Sequence, residues 1–129
     1  MGFRGVDHVV IAVKDWESAI KQFEAIYGIP VERGTAPGMK TAYFRLADSY
    51  LELVTNDGDE GPIAKRLNDT GDGVHLIAMR TDDMDGTLKE LRAKGVRLIG
   101  DPGEGNPVTR QVFIHPASAG GILTQIIAK

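Results

Sequence analysis

Three histidines, Glu52 and Gln125 are the residues whose types and spacing bear most directly on chemistry. The chain contains no cysteine, so it has no thiolate nucleophile, no disulfide and no sulfur ligand. Any metal site must then be built from nitrogen and oxygen donors. His8 and His75 stand 67 positions apart, an interval shared by Gly28 and Gly95. Glu52 and Gln125 are 73 apart, the excess falling in the turn-rich run Asp101-Pro102-Gly103-Glu104-Gly105-Asn106-Pro107. Read as two copies of one unit, the four side chains fall at matched strand positions, each flanked by apolar residues. A buried carboxylate costs several kcal/mol, on the order of 3 or more, unless it is paired or bound to a metal. No Lys or Arg in the adjacent strand residues neutralises Glu52. Two imidazoles, a carboxylate and an amide oxygen suit one divalent ion, Zn, Ni, Co, Mn or Fe(II). The expected metal ligands are therefore His8, Glu52, His75 and Gln125. A lone strand histidine is more often a satisfied core or surface residue, and it is the matched repeat that points to a ligand set. His115, in Ile114-His115-Pro116, has no counterpart and is expected to end a strand and hydrogen-bond in the turn.

These positions need a scaffold. Val6 to Val13 is rich in β-branched residues, and its alternation places His8, Val10 and Ala12 on one face of a strand. Asp15 is a helix N-cap, with Trp16, Ala19, Ile20, Phe23, Ile26 and Tyr27 at helical spacing and Gly28 as the stop. Strands follow at 29–33, 39–46 and 50–55, the last two joined by the tight Ala47-Asp48-Ser49 connection. The order then repeats. A strand spans 73–80, Asp82 or Asp83 caps a helix with Met84, Leu88 and Leu91 as its stripe, Gly95 stops it, and strands cover 96–99, 108–114 and 122–127. Between the copies, Asn56 to Gly61 is a polar linker and Pro62 opens a short helix carrying Ile63, Ala64 and Leu67. This is an α+β fold: one domain over 1–129, made of βαβββ modules at 5–55 and 72–128.

At 129 residues and 13.9 kDa the chain can bury a single core without staples. Its net charge is -3, and its Lys and Arg are dispersed, which lacks the basic footprint of a nucleic-acid binder. The longest apolar run near the N-terminus, Val9 to Val13, is far too short to span a membrane or to serve as a signal peptide. The expected location is cytoplasmic, with neither nucleic acid nor membrane as a partner.

The runs Val6-Asp7-His8-Val9-Val10-Ile11-Ala12-Val13, Tyr27-Gly28-Ile29, Leu51-Glu52-Leu53, Gly73-Val74-His75-Leu76-Ile77-Ala78 and His115-Pro116 followed by Gly120-Gly121-Ile122-Leu123 together resemble the vicinal oxygen chelate superfamily. The likeness covers almost the whole chain. It is strongest to the methylmalonyl-CoA epimerase-like and glyoxalase I-like members. The resemblance implies two βαβββ modules around a metal cleft, with the family's four ligands carried onto His8, Glu52, His75 and Gln125. It implies a metal-dependent isomerase or related lyase, whose ion stabilises an enolate formed next to a thioester carbonyl. Relatives place a glutamate where this chain has Gln125, and a neutral amide is not a useful base near neutral pH. Ala36 stands about where epimerases carry their second basic glutamate. Glu52 is then the one catalytic base, with Glu104 in the long loop a weaker candidate.

Other readings from the same resemblance are a glyoxalase I-like lactoylglutathione lyase, an Fe(II) ring-cleaving dioxygenase using two histidines and a carboxylate, and a non-catalytic resistance-type binding protein. The implied partner is a small molecule, with an acyl-CoA thioester as the candidate and Lys40 and Arg110 as isolated cations for its phosphates. Superfamily members commonly pair, so a homodimer is expected.

Overall fold

The computed structural model describes residues 2–129. The element order is β1 (Phe3–Ala12), α1 (Trp16–Tyr27), β2 (Val31–Ala36), β3 (Met39–Arg45), β4 (Tyr50–Asn56), α2 (Pro62–Thr70), β5 (Gly73–Thr81), α3 (Met84–Ala93), β6 (Leu98–Ile99), β7 (Val112–Ile114) and β8 (Thr124–Ala128), with a 3-10 turn at Pro116–Ser118 before β8. The order β-α-β-β-β occurs twice, as expected, in an α+β fold. The chain forms two compact units, one running from His8 to His75 and the other made of the residues up to Asp7 together with Leu76–Lys129.

In the first unit the strands lie in the order β2-β3-β4-β1. β1 runs parallel to β4, while β2–β3 and β3–β4 are antiparallel. β2 begins later than the sequence reading placed it and extends to Ala36. Pro37-Gly38 forms a two-residue turn that lets Ala36 pair with Met39. Gly38 has a φ of 76°, the left-handed conformation that glycine adopts freely after a turn proline. On one face of this sheet lies α1. Its start is set by Asp15, whose carboxylate accepts from the Ser18 N–H at 3.1 Å, and its end by Gly28 at φ 63°. Ala19 and Ile20 of the helix pack with Ala42, Phe44 and Leu53. The Trp16 indole donates to the Leu53 carbonyl at 3.1 Å, which satisfies the one polar atom of an otherwise apolar ring. α2 has Pro62 at its first turn and buries Ile63, Ala64 and Leu67, packing against β4.

The second unit orders its strands β5-β8-β7-β6, with β5 and β8 parallel and the others antiparallel. Asp83, rather than Asp82, caps α3 by accepting from the Gly86 N–H at 3.0 Å. A Cβ at Gly86 would meet the Asp83 carboxylate in its capping rotamer, which would have to shift. Leu88 packs with Val112, Ile114 and Ile126. β6 and β7 are shorter than the sequence reading expected, because the segment between them is irregular from Gly100 to Gln111. Pro102 and Pro107 cannot donate to a ladder, and the segment is held by Asp101. That carboxylate accepts two bonds from Arg92, at 2.8 and 2.5 Å, and one from the Gly103 N–H at 3.0 Å.

Candidate functional site

Strand register determines which side chains share a face with Glu52. In β1–β4, His8 pairs with Tyr50 and Val10 with Glu52. In β3–β4, Tyr43 pairs with Glu52 and Arg45 with Tyr50. Paired residues project to the same side and side chains alternate along each strand. His8, Tyr50, Glu52, Tyr43 and Arg45 therefore line the face opposite α1. The sequence reading found His8 and Glu52 but missed the two tyrosines and Arg45. The period-two spacing of Tyr43 with Arg45 and of Tyr50 with Glu52 was the available signal.

The face is ordered by ring and charge contacts. The His8 imidazole lies flat on the Tyr50 ring, with centroids 4.5 Å apart and planes 10° apart. Tyr50 meets Tyr43 edge-on at 5.6 Å. The Arg45 guanidinium sits over both phenols, 5.4 Å from Tyr43 and 5.0 Å from Tyr50, and is held by Glu32 at 2.8 Å. His8 and Glu52 are both only 7% exposed. Burial raises the Glu52 carboxyl above the ordinary carboxylate range, against the weaker opposing pull of His8 and Arg45. Such a carboxylate retains its proton more readily and is a stronger base once ionised.

The pairing of His8 with His75 as equivalent positions is corrected by the structure. The helix caps Asp15 and Asp83 are 68 positions apart, and so are the buried helix residues Ile20 and Leu88. The strand partners agree. Glu52 pairs with Val10, and Gln125 pairs with Ala78, which again lies 68 positions after Val10. The counterpart of His8 is therefore Leu76, an apolar residue 8% exposed, and His75 holds the place of Asp7. The interval of 67 came from Gly28 and Gly95, but α3 spans 10 residues against 12 for α1, so the second helix stops early and its terminal glycine gives the wrong offset. Gln125 does match Glu52, with Ala78 and Phe113 as its strand partners.

His75 lies beside Arg66 of α2. Burial, and secondarily that guanidinium, lower its affinity for a proton. Asp7 is buried and ion-paired with Lys129 at 2.9 Å and with Arg80 at 3.9 Å. Among the described residues no three His, Asp or Glu side chains are grouped as metal donors. The donors at the four matched positions are thus one imidazole, one carboxylate and one neutral amide, with a leucine in the remaining place. They fall short of the expected four-ligand set: one position holds no donor, and of the three that remain only the Glu52 carboxylate carries a charge to offset a dication.

Of the remaining candidates, His115 accepts from the Ala117 N–H through Nδ1 at 3.0 Å, the turn role expected of it. Glu104 lines an open recess of about 440 Å³ with Asp85, Lys89 and Arg92. Lys40 reaches over the Trp16 ring at 6.0 Å, and Arg110 is exposed. No described helix is long and apolar enough to cross a membrane.

Comparison with known proteins bears on this face. The mitochondrial methylmalonyl-CoA epimerase of Dictyostelium discoideum is 31% identical over 139 residues, covering all of this chain and 81% of that protein. The human mitochondrial enzyme of the same name is 29% identical, covering 94% and 72%. Among solved structures, a variant of the Streptomyces coelicolor methylmalonyl-CoA epimerase in complex with 2-nitronate-propionyl-CoA has a TM-score of 0.81 and 30% identity, over 99% of both chains. The Mycobacterium tuberculosis epimerase has a TM-score of 0.80 and 30% identity, over 98% of this chain and 88% of that one. These relatives are epimerases, which are isomerases, and this chain is an enzyme of the isomerase class. The family model for the glyoxalase/bleomycin resistance protein/dioxygenase superfamily matches residues 7–113, and the chain belongs to that superfamily, close to its methylmalonyl-CoA epimerases.

Proposed function

We propose that the protein is an epimerase-like isomerase that moves the acidic proton on the carbon next to an acyl-CoA thioester carbonyl, with Glu52 as the base. The observation that carries this reading is the buried Glu52 carboxylate, its proton affinity raised by burial, on one face with the stacked His8 ring. Related structures that hold 2-nitronate-propionyl-CoA and methylmalonyl-CoA support the thioester as substrate class. In this reading Glu52 takes the proton, and an N–H of His8, oriented by Tyr50, hydrogen-bonds the oxygen on which negative charge develops. Arg45 adds positive potential at the same face.

Among the described residues Glu52 is the carboxylate at the matched strand positions, and Gln125 cannot accept a proton usefully near neutral pH. Proton delivery by one group reaches one face of an enolate, so exchange of the acidic proton is expected to outpace epimerisation. The test is to incubate the protein with methylmalonyl-CoA or propionyl-CoA in deuterium oxide and follow the thioester by mass spectrometry. Wild type is expected to incorporate deuterium at the α carbon, and Glu52→Gln to lower that rate by about a hundred-fold or more. A folded wild-type protein that exchanges neither substrate, or a Glu52→Gln variant that exchanges at the wild-type rate, overturns the reading.

A further inference from the structure

We infer that this chain does not hold the divalent ion that its superfamily generally requires, because the second βαβββ unit supplies Leu76 and Gln125 where the first supplies His8 and Glu52. The inference rests on strand register and stands apart from the proposed reaction. Four independent markers give the same offset between the units: the helix caps, the buried helix residues, the strand partners of Glu52 and Gln125, and the repeated dipeptides Gly5-Val6 and Gly73-Val74. Under that offset the imidazole of His8 is matched by an isobutyl group, which has no lone pair to donate. The carboxylate of Glu52 is matched by a neutral amide, a weaker ligand with no charge to offset a dication.

His75 is no substitute. It stands one residue before Leu76, at the counterpart of Asp7, and a one-residue displacement in a strand reassigns the direction in which side chains project. Its neighbour Arg66 presents a positive charge that opposes a nearby dication. What remains is an imidazole–carboxylate pair on one unit, suited to proton handling and hydrogen bonding, with a neutral amide as the other unit's one weak donor.

The test uses intact protein purified without a metal-affinity tag. It is equilibrated with Co(II) or Zn(II), passed through a desalting column, and assayed for bound metal by elemental analysis and for a metal-dependent shift in thermal melting. Wild type is expected to retain well under one ion per chain and to melt at an unchanged temperature. The L76H/Q125E variant is expected to bind Co(II) at least about a hundred-fold more tightly than wild type, at one ion per chain, since loss of even outer-shell partners of a ligand costs about ten- to a hundred-fold. One tightly held ion in wild type that is lost in His8→Ala overturns the inference whatever the behaviour of the double variant. A folded L76H/Q125E protein with wild-type metal affinity also overturns it, by removing Leu76 and Gln125 as the cause.

Discussion

The face around Glu52 depends on neighbours that hold two reactive side chains still. A histidine ring can turn about two bonds, and the flat stack on Tyr50 at 4.5 Å fixes the plane of the His8 ring. Tyr50 is itself held by Tyr43 from one side and by the Arg45 guanidinium. Removing the Tyr50 ring should therefore leave Glu52 in place and disorder the N–H donor. Tyr50→Leu is expected to lower the α-proton exchange rate by roughly ten- to a hundred-fold with little change in the concentration of thioester needed for half-maximal rate, whereas Tyr50→Phe keeps the stack and most of the rate. Deuterium exchange measured over a substrate series separates the two parameters, and equal losses in both variants would show that the hydroxyl, rather than the stack, matters. At this scale the sequence was informative where chemistry is local. Alternation alone put His8 and Glu52 on strands, and the short His115-Pro116 segment already indicated a turn. Tyr43 and Arg45 were missed because their importance comes from cross-strand pairing, which no single segment displays.

Helices were the most legible elements, since caps and stops are written in a few adjacent residues. Asp15 with Gly28, and a cap at Asp82 or Asp83, are visible in the sequence, and the structure selects Asp83. Strand register was not. Two strands can be slid by one residue without violating any local pattern, yet the slip changes which residue stands beside a given partner. That is how Gly95, displaced because α3 ends early, made His75 look like the partner of His8. The long segment after β6 was also longer than its turn residues suggested, and its anchoring to α3 by Asp101 is a tertiary feature. Hydrogen bonds from Arg92 hold the Asp101 carboxyl below the ordinary carboxylate range, opposed by burial and aided by the Gly103 N–H. A lowered folded-state pKa contributes stability that is present above the unfolded value and lost as pH falls through the folded one. Asp101→Asn is therefore expected to melt a few degrees below wild type at pH 7, with the difference shrinking as pH drops below about 4. Thermal melts of both proteins across that range check this, and a difference independent of pH would assign the loss to packing alone.

At the scale of the molecule, the composition, the repeated βαβββ order and the run of motifs from Val6 to Leu123 were enough to indicate the superfamily, and the epimerase relatives cover nearly the whole chain. The fold was legible because its signals recur twice. The departures within the site were legible only in part. Gln125 could be seen in the sequence, but the leucine opposite the role of His8 emerged only when two units could be aligned by their strand partners. The epimerase-like fold thus keeps its proton-handling pair, His8 and Glu52, on one unit, while the other unit offers a leucine and a neutral amide at the matched positions. The measurement that tests this most directly is α-proton exchange of methylmalonyl-CoA in deuterium oxide by protein stripped with a strong chelator, beside Glu52→Gln under the same conditions. Stripped wild type is expected to exchange as fast as untreated protein, and Glu52→Gln is not. Exchange that disappears on stripping and returns when Co(II) or Zn(II) is added would contradict it.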